Sequence, residues 1–239
     1  MPSGTLYGLG VGPGDPKLLT LRALEVLRSV DLVFAASSPK NTYSLALTIA
    51  REHLPPELPV RQLDFPMTKD LAVKQKAWRQ NAEEVLAELK EGRNAAFLTL
   101  GDPLTYSTYG YLVQTMTALE PEARIETIPG ITAYHAAAAR LNLPLVEDRQ
   151  SFAVISGVGD TDEISRLAAS HDTVVILKAY KSYDAILDAI SPTHNGRRAY
   201  TVCSCGLDGE VLAADAESLR GSEVPYLSLM IVKSESKDK

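Results

Sequence analysis

The sequence predicts a chain of two α/β domains: a mostly parallel sheet with helices on both faces, followed by a smaller domain with a mixed sheet. Three observations predict this fold class. Strand and helix patterns alternate over residues 1–142, which is typical of a parallel sheet. The segment 95–100 is apolar almost throughout, as expected of a strand covered on both faces. Three strand patterns then follow one another directly near the end of the 239 residues.

The first predicted domain, residues 1–142, alternates strands and helices in order. Its strands are short apolar stretches at 5–11, 32–34, 60–65, 95–100 and 125–128. Between and after them, apolar residues recur every three or four positions, which predicts helices with one buried face. Examples from the successive helices are Val26, Ile49, Leu86, Leu112 and Ala138. Gly92 is the expected stop of the longest helix.

The second predicted domain covers residues 149–239. The stretch 142–148 breaks the alternation with Pro144 and two acidic residues, so we place the junction there. Beyond it we expect strands and helices in the following segments: strands at 152–155, 173–177, 199–204, 210–213 and 226–232, and helices at 164–168 and 183–190. Three consecutive strands predict a sheet with antiparallel parts.

Composition excludes several classes of function. The net charge of −6 and the sequence pI near 5.3 argue against a nucleic-acid-binding protein, which needs a basic surface. No apolar run approaches the roughly 20 residues of a membrane span, and the chain starts without a signal-type segment, so we expect a cytoplasmic protein. Two cysteines and four scattered histidines show no ligand spacing, and no metal site is predicted.

A glycine-rich loop follows the first strand, with Gly8, Gly10, Gly12 and Gly14. Three interpretations compete: a dinucleotide fingerprint, the loop of the common Rossmann-like methyltransferases, and a tight backbone approach at the edge of a cleft. The fingerprint requires a glycine where Pro13 or Asp15 stands. Both of the first two also require an acid at the end of the second strand, which ends in alanines. The loop alone leaves all three open.

Two further turns follow later strands of the predicted parallel sheet. One is Gly101-Asp102-Pro103 after the buried strand, and the other comprises residues 129–133, with the sequence PGITA. Ligands bind open α/β sheets at the carboxyl ends of the strands, and glycine there allows close backbone approach. Each turn alone is equally compatible with a plain strand-to-helix connection in which Asp102 caps the helix. Three such turns on one edge predict a binding site.

These ordered motifs, GLGVGPGD at 8–15, LTL at 19–21, GDP at 101–103 and PGIT at 129–132, resemble the tetrapyrrole methylase family, the class III S-adenosylmethionine methyltransferases. The resemblance covers nearly the whole chain, although the stretch 157–180 aligns only loosely. The segment FPMTKD at 65–70, the helix around Trp78 and LTYST at 104–108 are similar to the branch that methylates carbon 20 of precorrin-2 or cobalt-factor II in cobalamin biosynthesis.

The resemblance implies an enzyme whose cofactor, S-adenosylmethionine, lies folded in a cleft between the two domains and leaves as S-adenosylhomocysteine. It assigns cofactor contacts by position in the motifs. In and after the first domain's turns these are Val11, Gly101, Asp102, Thr105, Tyr106, Thr132 and Ala133. In the second domain they are Lys178, Ala179, Cys205, Tyr226 and Leu227. Family members are usually homodimers, and we expect one here.

The resemblance also frames the chemistry. Methyl transfer to a bridging ring carbon requires the loss of a proton, and Asp102 is the candidate base or electrostatic partner of the cationic donor. The alternative is that Asp102 only shapes its turn and binds cofactor. The substrate carries many carboxylates, so basic residues should line its site. The candidates are Lys17, Arg22, Lys40, Arg149 and Lys178, against the alternative that each is ordinary surface charge.

Rival functions remain at this stage. Within the family they are methylation of uroporphyrinogen III, of another corrin position, of a protein diphthamide or of ribosomal RNA. The acidic pI disfavours RNA, and the segment 65–70 disfavours the others. Outside the family they are a nicotinamide-dependent oxidoreductase and a tetrapyrrole-binding module without catalysis. No residue reports whether cobalt is already in the ring of the substrate.

Overall fold

The computed structural model describes residues 3–37, 44–156, 161–191 and 196–234. The chain forms two compact units, Met1–Thr132 and Ala133–Lys239. Each unit contains its own five-stranded sheet in the described residues, which confirms the predicted class of two α/β domains. The predicted domain bounds, 1–142 and 149–239 with the junction at 142–148, stay a prediction.

The sheet of the first unit is parallel throughout. Its strands are β1 (Thr5–Gly10), β2 (Leu32–Ser37), β3 (Val60–Asp64), β4 (Ala95–Thr99) and β5 (Arg124–Ile128). They are ordered β3-β2-β4-β1-β5, so β1 lies between β4 and β5. Every residue of β4 is buried, as the continuous apolar segment predicts.

Helices α1 (Leu21–Leu27), α2 (Leu45–Ala50), α3 (Leu71–Lys90) and α4 (Tyr109–Leu119) connect these strands. Helix α1 begins at Leu21, whereas the apolar spacing Leu19, Ala23, Val26, Leu27 and Val30 predicts a helical face from Leu19 onward. The reason is local: Asp15 caps a short 3₁₀ turn, Pro16–Leu18, and the Thr20 hydroxyl then caps α1 by accepting from the Ala23 amide at 3.2 Å. Gly92 ends α3 in a left-handed conformation, as predicted.

Apolar side chains pack on both faces of this sheet. Because successive strand residues point to opposite faces, neighbours on one strand belong to different cores. Leu6, Phe34 and Phe97 pack with α3 and α4 on one face, and Leu9 and Leu98 pack with α1 and α2 on the other. The central strands of the sheet are therefore packed on both faces, and their ends remain for function.

The second unit begins with α5 (Ala133–Leu141) and contains a mixed sheet. Its further elements are β6 (Phe152–Ser156), α6 (Thr161–Ser170), β7 (Thr173–Leu177), α7 (Tyr183–Ile190), β8 (Arg197–Cys203), β9 (Val211–Ala213) and β10 (Ser228–Ser234). The order is β6-β7-β10-β8-β9, with only β6 and β7 parallel. The mixed sheet is confirmed, but β10 starts at Ser228, so Tyr226 and Leu227 precede it.

Along the described ranges, none of the helices is both long enough and apolar enough to cross a bilayer.

A buried carboxylate connects α3, β3 and the loop before β4 in the first unit. Glu88 of α3 is 6% exposed and lies 2.8 Å from Nη1 of Arg61 on β3. Its second oxygen lies 2.5 Å from Nη2 of Arg93, an ion pair that lacks good hydrogen-bond geometry. Removing one partner of a buried ion pair leaves the other charges poorly solvated, which costs more than the pair itself contributes.

We therefore expect Glu88→Ala to lower the free energy of unfolding by about 2–3 kcal/mol, less than for a fully buried pair because both arginines reach solvent. Glu84→Ala is the matched control, since Glu84 is half exposed and lies 3.8 Å from the same Arg61. It should cost less than about 1 kcal/mol. Urea unfolding of both variants measures the difference, and equal losses would contradict the buried network.

Candidate functional site

Three loops leave the carboxyl ends of adjacent strands in the first unit. They comprise residues 11–15 after β1, residues 100–107 after β4 and residues 129–132 after β5. Because β4, β1 and β5 are neighbours, the three predicted Gly/Pro turns meet at one edge of the sheet. This placement agrees with the prediction and with the usual ligand site of open α/β sheets.

The loops after β1 and β4 are hydrogen-bonded to each other through their backbones. The Gly101 amide donates to the Gly12 carbonyl at 2.8 Å, and the Gly12 amide donates to the Gly101 carbonyl at 3.3 Å. Both glycines have positive φ, +80° at Gly12 and +71° at Gly101, which is the region where glycine avoids a steric cost. Val11 also donates to the Thr99 carbonyl at 2.9 Å.

The loop after β5 approaches the other two so closely that no side chain fits between them. A Cβ atom on Gly130 would lie 2.1 Å from the Gly101 carbonyl oxygen and 2.7 Å from the Gly10 Cα. A Cβ atom on Gly10 would lie 2.5 Å from the same carbonyl oxygen. We call these three residues, Gly10, Gly101 and Gly130, the glycine contact.

One side chain fastens the glycine contact. Asp102 Oδ2 accepts from the Gly130 amide at 3.1 Å, across to the loop after β5. Asp102 Oδ1 accepts from the Leu104 amide at 2.9 Å and from the Thr105 hydroxyl at 3.2 Å, within its own turn. Three donors thus occupy most of the roughly four lone-pair positions of the carboxylate. The geometry supports Asp102 as the tie between two loops.

The charges of this edge favour a cation over a phosphate. Across the three loops the charged side chains are Asp15 and Asp102, both acidic. At the two helical N-termini that follow β1, the Lys17 amide donates to Asp15 and the Ala23 amide donates to Thr20, and the Asp15 carboxylate would repel a phosphate. A pyrophosphate site would need free amides at such a terminus. Of the three interpretations of the glycine loop, the structure therefore favours the tight backbone approach.

The predicted cofactor residues of the first unit lie on these loops. Val11 is fully buried and Thr132 is 9% exposed, whereas Thr105 is half buried. Tyr106 is exposed and adopts a left-handed φ of +51°, which is unusual for an aromatic residue and marks a constrained turn.

The predicted residues of the second unit gather at one end of its own sheet. Lys178 (φ +56°) and the buried Ala179 follow β7, and Cys205 follows β8. Tyr226 and Leu227 lead into β10, which pairs with both β7 and β8, and the Leu227 carbonyl accepts from the Ser204 amide at 2.7 Å. Ala133 lies apart from them in the sequence, as the first residue of α5.

Two residues of the second unit were not predicted. Arg140, in the last turn of α5, donates from Nε to Glu210 Oε1 at 3.1 Å and Oε2 at 2.9 Å, and from Nη2 to Oε2. Glu210 also accepts from the Gly206 amide at 2.9 Å. The two residues are 70 positions apart, so no local pattern in the sequence could have paired them.

The candidate substrate-binding cations differ in their surroundings. Lys17, Arg149 and Lys178 are exposed. Arg22 is engaged by Glu126 at 3.0 Å and by Glu25 at 3.4 Å, and both carboxylates raise the pKa of its guanidinium. Arg22 is therefore less suited to bind a substrate carboxylate. Lys40 lies outside the described residues.

Comparison with known proteins gives a consistent family. Residues 5–219 match the family of tetrapyrrole (corrin/porphyrin) methylases. The chain is 34% identical to the cobalt-precorrin-2 C(20)-methyltransferase of Salmonella typhimurium over 98% of both chains. It is 31% identical to a precorrin-2 C(20)-methyltransferase of a Sinorhizobium species over 96% of this chain and 95% of that one.

The solved structure of the uroporphyrin-III C-methyltransferase of Thermus thermophilus with S-adenosylhomocysteine aligns with a TM-score of 0.68. The alignment covers 96% of this chain and 92% of that one at 22% identity, so it shows the shared fold.

The glycine contact predicts a sharp difference between two glycines. Gly130→Ala should lower the free energy of unfolding by roughly 1–3 kcal/mol or more, because the atoms that a methyl group would meet are all backbone and cannot swing aside. Gly110 on α4 is the control, since a Cβ there meets nothing within 4 Å and alanine favours a helix by up to about 1 kcal/mol. Urea unfolding would contradict the packing if Gly130→Ala were as harmless as Gly110→Ala.

Proposed function

The chain belongs to the tetrapyrrole methylase family, and we propose that it transfers a methyl group from S-adenosylmethionine to carbon 20 of precorrin-2 or cobalt-factor II in cobalamin biosynthesis. The observation that carries the proposal is identity of 31–34% to two C(20)-methyltransferases over nearly the full length of each. One of these relatives is named for the cobalt-containing substrate and the other for the metal-free one. Both substrates therefore belong in the test.

The glycine contact supports S-adenosylmethionine as the methyl donor. When bound, this cofactor supplies a methyl group on a positively charged sulfur, activated for displacement by a nucleophilic ring carbon. The loops around Gly101 offer backbone groups and acidic side chains without any lysine or arginine, which suits a cation and disfavours a dinucleotide. Tightly packed backbone at this edge also holds the groups that contact the ligand in a fixed orientation. Fixed orientation of the two reactants supplies much of the rate acceleration of a bimolecular displacement.

We assign the cofactor contacts as the family resemblance places them. Gly101, Asp102 and Thr105 would bind from the loop after β4, with Val11 from the loop after β1 and Thr132 from the loop after β5. Tyr106 and Ala133 extend this set. Two parts of the resemblance stay predictions. One is that the cofactor lies between the two domains, and the other is that the second domain contributes Lys178, Ala179, Cys205, Tyr226 and Leu227 to its binding.

Exposed apolar side chains on the same edge support a large, flat substrate. Met67 follows β3, and Leu104 and Tyr106 follow β4. Their exposed fractions are 73%, 71% and 58%, respectively, and apolar side chains that follow strand ends on one edge of a domain are typical of a binding surface. Contact with a macrocycle would remove this surface from water, while Lys17, Arg149 and Lys178 are the exposed cations proposed for its carboxylates.

The first test is a methyl-transfer assay with labelled S-adenosylmethionine, in which precorrin-2 and cobalt-factor II are offered in parallel. We expect label in a trimethylated ring, and the preferred substrate identifies the route. Uroporphyrinogen III serves as the comparison for the main alternative within the family. Binding of S-adenosylhomocysteine without transfer to either ring would exclude the C-20 assignment. Binding of a nicotinamide dinucleotide would favour an oxidoreductase, and binding of neither cofactor would favour a carrier module.

Asp102 has two proposed roles, and Asp102→Asn separates them. The three hydrogen bonds that the Asp102 carboxylate accepts support its role in holding the two loops together. In asparagine an NH2 group would replace one of the accepting oxygens and would face a donor. We therefore expect the Kd for S-adenosylhomocysteine to rise about 10-fold, the equivalent of one lost charge-assisted hydrogen bond, while kcat changes less. A base would show the reverse, with kcat about 100- to 10,000-fold lower at unchanged Kd. Calorimetry and single-turnover rates distinguish the two.

We further propose a cytoplasmic homodimer, as is usual in the family. Sedimentation equilibrium of the purified full chain tests the dimer.

A further inference from the structure

The loop between β8 and β9 is held in an unusual conformation. Three of its residues have left-handed backbones: Ser204 at φ +48°, Gly206 at φ +72° and Gly209 at φ +79°. Glycine adopts this region freely, but for serine it costs about 1 kcal/mol or more and persists only where neighbours impose it. Cys205, a predicted cofactor contact, lies inside this constrained segment.

The carboxylate of Glu210 is the centre of the contacts that impose this conformation. It reaches back across the loop to the Gly206 amide at 2.9 Å, and the Cys205 thiol donates to it as well. The Glu210 side chain is 15% exposed. Its pKa is lowered, first by the hydrogen bonds from Arg140 and then by the Gly206 amide, so the group is a carboxylate at neutral pH. Burial raises the pKa of the Cys205 thiol to about 11, so the thiol keeps its proton.

Arg140 fixes Glu210 from a different element. Its planar guanidinium contacts both carboxylate oxygens, the bidentate geometry that orients a carboxylate most firmly. Arg140 lies in the last turn of α5, and Ala133 is the first residue of the same helix. One rigid helix therefore joins a predicted cofactor residue at its start to the loop of Cys205 through Arg140 and Glu210.

We propose that Glu210, held by Arg140, is a positioning residue that presents the Cys205 segment to the cofactor. The inference rests on the proposed function, because the assignment of Cys205 as a cofactor contact is part of that proposal. Neither Arg140 nor Glu210 touches the reacting atoms. They act by keeping the loop between β8 and β9 in its bound shape before the cofactor arrives, so that binding does not have to order it.

The test compares Glu210→Gln with the wild-type full chain. Glutamine keeps the size of the side chain but removes the charge, and its NH2 group faces the donors of Arg140. We expect the Kd for S-adenosylhomocysteine and the KM for S-adenosylmethionine to rise about 10-fold, with the KM for the tetrapyrrole changed by less than about twofold. A loss of folded enzyme would lower the apparent kcat and leave both KM values unchanged, so a rise confined to the KM for S-adenosylmethionine reports positioning.

Substitutions of Arg140 identify the contact. Arg140→Gln should weaken cofactor binding as Glu210→Gln does, and the double variant should be no weaker than either single one, because both remove the same interaction. Arg140→Lys should restore part of the affinity, since lysine keeps the charge without the bidentate geometry. Arg220→Gln is the matched control: Arg220 pairs with Glu217 and Asp188 elsewhere in the same unit, and its loss should leave the Kd unchanged.

An unchanged Kd in a folded Glu210→Gln or Arg140→Gln variant, with the wild-type chain binding normally, would overturn this inference alone. Additive effects in the double variant would also overturn it. Failure of the wild-type chain to bind S-adenosylhomocysteine would instead overturn the proposed function, and this inference with it.

Discussion

The contact of three backbones at Gly10, Gly101 and Gly130 is the constraint on which the candidate site depends. It requires β1 to lie between β4 and β5, because only that order brings the loop after β4 and the loop after β5 to the same residue of β1. Strand β1 is also restricted two residues earlier, at Gly8, where a Cβ atom would lie 2.1 Å from the Tyr109 ring. The Tyr109 hydroxyl bonds to Thr127 of β5 at 2.9 Å. Strand β1 is thus fixed at Gly8 by the packing of Tyr109 and at Gly10 by the glycine contact.

Much of this could be predicted from the sequence because the signals are local. The alternation of strand and helix patterns predicted the parallel sheet, and the glycine and proline turns predicted the loops that meet at the carboxyl ends of its strands. The start of α1 depends on which of two polar residues caps it, and the apolar spacing alone does not reveal that Thr20 is the cap. The pairing of Arg140 with Glu210 depends on the mixed sheet bringing residues 70 positions apart together, and no periodicity reports it.

A site built from backbone explains which side chains matter and which are free to differ. The glycines are restricted by the absence of space, and Asp102 by its bonds to two loops, so these residues are constrained whatever ring is methylated. Leu104 and Met67 carry no such restriction: they are exposed and lie beside the strand ends. The glycines and Asp102 therefore meet the demands of donor binding, Leu104 and Met67 are left to substrate choice, and Tyr106 and Lys178 are proposed for both.

This division also accounts for the two kinds of positioning in the chain. On the first unit the loops are held by direct backbone contact and need one carboxylate, Asp102, to fasten them. In the loop of Cys205 a Cβ on Gly209 would meet nothing within 4 Å, and Ser204 takes a left-handed angle that serine does not favour. This loop is ordered by a charged network, with Glu210 inside the loop and Arg140 outside it. Such a network holds only while both charges are present, whereas a backbone contact holds as long as the sheet is folded.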